Sequence, residues 1–283
     1  MKQLQIFFFF CLFSFGLQAQ PWPGPAETAG SDAVASDDLR IKSWAGKVAN
    51  FTRGPVHLES PILGLATTGM PEFSLGKPDN QVVSLGDGGT ITLQFSPVIS
   101  NDRGPDFAVF ENSFSDFFLE LATVSVSTNG TEFFDFPSFS ETDTNTQIGS
   151  FDTLRAENLQ GLAGKYRGGF GTPFDLEDLP DNAMLDKKNI KFIRITDVVG
   201  SLNPSIGTRD SKGRLINDPY PTPFPSAGFD LDAVGVIHQK TETGIRLLNG
   251  PVFTMGTSSK WLSEKAFSIR IVNANGQSLG SYS

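Results

Sequence analysis

Polar and apolar positions alternate with a period of two over several short stretches of the chain. Residues 90–95 (Thr-Ile-Thr-Leu-Gln-Phe) and 123–127 (Thr-Val-Ser-Val-Ser) each read as a strand with one buried face. Asn129-Gly130 follows the second run and residues 132–136 resume beyond it, the signature of a hairpin. Residues 191–196 alternate again, and the fully apolar 107–110 reads as a strand covered on both faces. Residues 229–237 predict a last strand, with Phe229, Leu231 and Ala233 on one face and Asp230 and Asp232 on the other. Helical spacing is found at 36–48, where Ser36-Asp37-Asp38 reads as a cap and Leu39, Ile41, Trp44 and Val48 share a face. Two connections are long, 137–190 and 198–228. Both carry aromatic residues among Gly and Pro, which predicts packed, ordered loops. Gly86-Asp87-Gly88-Gly89 reads as a turn, since no Lys-Ser/Thr follows it and a strand comes next. The pattern predicts an all-β fold, an antiparallel β-sandwich of jelly-roll type with long loops and a minor helix.

The N-terminus changes the picture of where such a domain works. Lys2 precedes an apolar run of Phe and Leu that closes on Ala19, the order of a secretory signal peptide. The run is about 12 residues, too short to span a ~30 Å hydrocarbon core, and no other segment is long and apolar enough to do so. The expected organisation is a signal peptide at 1–19, a sandwich with an N-terminal extension at 20–240, and a short tail at 241–283. The expected destination is the cell surface or the medium, or the periplasm if the tail is not a sorting signal. Cys11, the single cysteine, lies within the leader, so the remaining chain has neither disulfide nor thiol chemistry. The net charge of −9 falls to −10 without the leader, which carries one Lys and no acid. A chain this acidic repels the nucleic-acid backbone. His57 and His238 are too few for a zinc or copper centre of the usual kind.

Three groups of residues are candidates for chemistry. Asp106 leads into the 107–110 strand, Glu111 and Asn112 leave it, and Asp230 and Asp232 belong to the last strand. These are hard oxygen donors, suited to a structural Ca2+ ion. Each of these acids can equally cap a turn or face solvent. Tyr166, Arg167, Phe170, Phe174, Tyr220 and Phe224 in the long connections combine flat rings with a cation, as a sugar- or corrin-binding surface does, or pin the loops to the sandwich. A pair of carboxylates for glycoside hydrolysis would be Glu111 with Glu120 or with Asp232. No Gly-x-Ser-x-Gly elbow is present for a serine hydrolase.

The segments 83–89, 104–112, 118–122, 162–176 and 216–239 resemble a family of bacterial secreted and cell-surface proteins found in Bacteroidetes. The resemblance implies a galactose-binding-like jelly roll and no particular activity. Residues 267–277 are similar to the middle hairpin of the C-terminal sorting domain of type IX secretion, and a plain C-terminal extension is the other reading. The sorting reading implies outer-membrane secretion or uptake machinery as a partner. Three functions follow: a surface or secreted binding module for a glycan or other small ligand, with or without structural calcium; a glycoside-active enzyme; or a structural or adhesive surface component.

Overall fold

The computed structural model describes residues 22–240 and two further strands, 269–272 and 278–282. The leader and its cleavage point, the segment 241–268 and the Asn-Gly turn of the tail lie outside the described residues.

Two antiparallel sheets face each other. One contains β3 (Lys47–Thr52), β5 (Thr90–Ile99), β12 (Ile190–Asp197), β7 (Ala122–Ser127) and β8 (Phe134–Asp135), in that order. The other contains β1 (Val34–Ala35), β11 (Phe170–Phe174), β6 (Phe107–Glu111), β13 (Asp230–Val236) and β2 (Ser43–Trp44), with β4 (Val83–Ser84) also paired to β13. β9 (Phe139–Ser140) and β10 (Leu159–Gln160) form a small separate pair. β14 (Ile269–Val272) and β15 (Ser278–Tyr282) make an antiparallel hairpin in the tail. The all-β antiparallel sandwich expected from the alternation is the architecture observed.

The period-two runs produce the core directly. β12 sits between β5 and β7, with Ile193 opposite both Leu93 and Val126. Ile91, Leu93, Val124, Val126, Ile193 and Ile195 are at most 1% exposed, and they pack against Phe107, Val109, Leu231, Val234 and Val236 of the other sheet. Removing each such side chain from water contributes about 1.5–3 kcal/mol. Phe107, Phe136 and Phe174 close one part of this layer, with ring centroids 5.0–5.7 Å apart. The outer face of β6 and β13 is covered in turn. Ala108, Phe110 and Ala233 meet Val34, Ile41 and Trp44 there, the Trp44 ring lying tilted against Phe110 with centroids 5.4 Å apart.

Three expectations are corrected. Residues 36–48 form no helix. Asp38 closes a tight turn by accepting from Arg40 N–H at 2.8 Å, Leu39 stands 91% exposed, and the chain then enters β2 and β3. Pairing with β13 and β5 outweighs a helical spacing of barely three turns. Residues 170–174 are a strand, although they contain Gly171 and Pro173. β1 pairs only with Phe170 and Gly171, so at Pro173 the strand has no neighbour awaiting an N–H on that side. Ala233 does not share a face with Leu231. A bulge between them reverses the alternation, so that Leu231 joins the inter-sheet core and Ala233 the outer cluster.

A cleft floored by carboxylates and rimmed by phenylalanine

Glu111 is the last residue of β6, and Asp230 is the first of β13. Both lie at the same end of the sheet, since Leu231 pairs with Glu111. Between β6 and β7 the chain makes a compact loop. Ser113 Oγ donates to the carbonyls of Ser115 and Phe118, and Ser115 Oγ accepts from Phe118 N–H at 3.0 Å. Leu119 and Leu121, both fully buried, anchor the end of this loop in a second apolar cluster with Leu154, Leu159, Leu162 and Ile216. Glu120 is held between these two anchors.

The approach of the 161–165 segment fixes this arrangement. Ala122 and Ala163 exchange backbone hydrogen bonds of 3.1 and 2.8 Å. Gly164 has φ +80°, and a Cβ there would lie 1.8 Å from the Glu120 carbonyl oxygen. Only glycine can take that position, so Gly164 is part of what places Glu120.

The resulting cleft has a volume of about 260 Å³. Glu111, Glu120 and Asp230 line it with Asn112, Ser113, Ser150, Thr222 and Ser226, and four phenylalanines complete the wall. The rings form a continuous row: Phe114 to Phe118 at 4.5 Å, Phe118 to Phe151 at 6.2 Å, and Phe151 to Phe224 at 5.5 Å between centroids. Phe114 is 78% and Phe151 73% exposed. Two loops carry Phe151 and Phe224, and Ser150 Oγ ties them by donating to the Pro221 carbonyl at 2.5 Å. Buried Asn217 braces them further, accepting from Ile148 N–H at 3.0 Å and donating to the carbonyls of Asp143 and Thr146.

The electrostatics of the floor are one-sided. Glu111 is 2% exposed, and its carboxylate accepts one hydrogen bond, 2.8 Å from Ser113 N–H. Burial pushes it well above the usual range, the Ser113 amide pulls it back, and Asp230 and Asp218 push it up again. The Glu120 carboxylate accepts no hydrogen bond from the described residues, and it is raised by burial and then by Asp230, Glu111, Asp218 and Asp197. Burial lifts Asp230 to about 6, against the opposing pull of the Ser84 hydroxyl and the Arg53 guanidinium. Asp197 and Asp218 behind the floor are raised by burial above all. Asp218 Oδ2 accepts from Leu121 N–H at 3.2 Å, while its Oδ1 is buried without a partner among the described residues.

The sequence candidates divide between this cleft and the rest of the fold. Of the five proposed oxygen donors, Glu111, Asn112 and Asp230 come together on the cleft wall. Asp106 lies at the other end of β6, where it accepts from Leu176 N–H, Asp102 N–H and His238 Nδ1 at 2.8–2.9 Å. Asp232 accepts from the Asp79 and Asn80 amides at 3.1 Å, also away from the cleft. Among the described residues, no three His, Cys, Asp or Glu side chains converge as the ligands of a metal ion do.

Of the six proposed ligand contacts, Phe224 lies in the cleft. Tyr166 is buried, its hydroxyl bonded to Asp32, and Arg167 pairs with Asp116 at 2.8 Å and Glu27 at 2.5 Å while lying over Phe170. Phe174 packs in the inter-sheet core, and buried Tyr220 donates to Glu59. The sequence reading did not single out Phe114, Phe118 and Phe151. The signal available was the richness of 111–120 in phenylalanine, without strand or helix period, between two glutamates. Compared with models of known protein families and with curated proteins, the chain matches none.

Proposed function

We propose that this chain is an exported binding module that captures a glycan or other small ligand in the phenylalanine-rimmed cleft. The observation that carries the reading is the junction of exposed ring faces with three carboxylates in one cleft. Flat apolar faces stack on the C–H faces of a sugar ring, and carboxylate oxygens accept from its hydroxyls. A solvent-exposed row of large rings also calls for an occupant, since Phe151 makes little use of its apolar surface in the isolated fold. The test is a glycan array and a cobalamin titration of the purified protein, repeated with Phe151→Ala. Binding to a member of either set is expected, weakened about tenfold by the substitution. Absence of binding on both, or a Phe151→Ala affinity equal to the parent's, overturns the reading.

A second reading, glycoside hydrolysis by Glu111 and Glu120, is favoured by one observation. Both carboxyls border the same cleft and both are raised, as a general acid at neutral pH must be. On that reading Glu111→Gln lowers hydrolysis of a glycan panel by roughly 10²-fold or more. Unchanged turnover removes the residue from the reaction.

A further inference from the structure

We propose that the cleft selects a ligand bearing a positive charge, an ammonium-carrying saccharide over a neutral one. The inference rests on the glycan reading above and names the class of sugar. Three carboxylates line the cleft, and among the described residues no Lys, Arg or His does. Asp197 and Asp218 add to the negative field from behind. Arg53 is the cation that bears on the group through Asp230, and its own guanidinium donates to the carbonyls of Ala66 at 3.1 Å and Gly69 at 2.7 Å. Glu111 is almost wholly buried yet holds a single protein hydrogen bond, and Glu120 on the same wall holds none among the described residues. These acceptors lie in a cleft with no cationic side chain in its described lining.

The alternatives fit less well on the same geometry. A metal ion draws its oxygens to one point, and among the described residues no three His, Cys, Asp or Glu side chains converge in that way. A neutral saccharide brings acceptor oxygens as well as hydroxyls, and for them the wall offers Asn112, Thr222 and Ser226. Ser113 and Ser150 already donate to backbone carbonyls. An ammonium group donates only, satisfies several carboxylates at once and gains from neighbouring aromatic faces. The row from Phe114 to Phe224 supplies those faces beside the sugar ring that would carry the charge.

Four probes with the full chain decide the matter by titration calorimetry, at a pH where the amines are charged. Three are β-1,4-linked tetrasaccharides that differ at one ring position: fully deacetylated chitotetraose with ammonium, chitotetraose with acetamide, and cellotetraose with hydroxyl. The fourth is spermidine. The deacetylated tetramer is expected to bind at least tenfold more tightly than the other two, and Glu120→Gln to abolish that preference while the melting temperature holds or rises. Equal affinity for the three tetramers overturns the inference and leaves the glycan reading standing. Binding of spermidine with none of the saccharides supports the charge inference and overturns the glycan reading. Binding of none of the four overturns both. A preference unaltered in both Glu120→Gln and Glu111→Gln also overturns the inference, because the charge would then be read elsewhere.

Discussion

Asp106 and Glu111 stand at the two ends of β6, and the sheet removes both from water almost completely. Asp106 accepts from two backbone amides and from His238, so burial raises its carboxyl against three opposing pulls. Glu111 accepts from one amide and faces other carboxylates. The same kind of group at the same depth is thus a fastening at one end of the strand and an unfilled acceptor at the other. Burial alone does not separate structural from functional acids. What separates them is whether the surrounding chain supplies enough donors.

The comparison can be broken most forcefully at its satisfied end. Asp106→Ala strands the buried Leu176 amide, the Asp102 amide and His238, so a loss of about 3–5 kcal/mol in urea-unfolding stability is expected. Glu120→Gln, by contrast, removes a repelled charge and should cost nothing. Equal losses in the two variants would erase the distinction.

The next effect is one of pH. Asp230 is raised from 3.8 to about 6, so the folded chain holds a proton there that the unfolded chain has released. Stability contributed by this group is present below about pH 4 and is lost as pH rises through 6. The difference approaches about 3 kcal/mol. Asp230→Asn is expected to flatten the slope of unfolding free energy between those pH values, and an unchanged slope would place the titration on another group.

A smaller effect concerns a buried cation that belongs to neither end. Lys165 is 2% exposed, its Nζ has no hydrogen-bond partner among the described residues, and burial pushes its amine down to about 8. Lys165→Met should therefore stabilise the fold by about 1 kcal/mol, read by the same unfolding titration. Destabilisation would mean that the contact of the amine with the Tyr166 ring, at 5.5 Å, outweighs its desolvation.

Much of this fold was legible as alternation, because β5, β7 and β12 each turn an apolar face to the inter-sheet core, and β6 is apolar enough to be covered on both. The two-residue strands β1, β2 and β4 were not legible. They exist only through distant partners, and two residues carry no period. The bulge in β13 was hidden for a related reason: an added residue on one strand is defined by the strand opposite. At the site, Glu111 and Asp230 were visible as acids beside predicted strands. Phe114, Phe118 and Phe151 were not, because a row of rings drawn from two loops has no spacing in the chain. Nor could sequence show that Asp106 and Glu111, so alike in position, differ in their donors.

The place of β13 bears on how the chain comes to be folded at all. It is the last strand of the sandwich to be synthesised, yet it lies inside its sheet, between β6 and β2, and it is the partner of β4. Until residue 236 has left the ribosome, β2 and β4 have nothing to pair with and β6 presents a bare edge. At about 5–20 residues per second, that interval lasts on the order of ten seconds or more. The sheet is therefore complete only once its last-made strand is seated between β6 and β2.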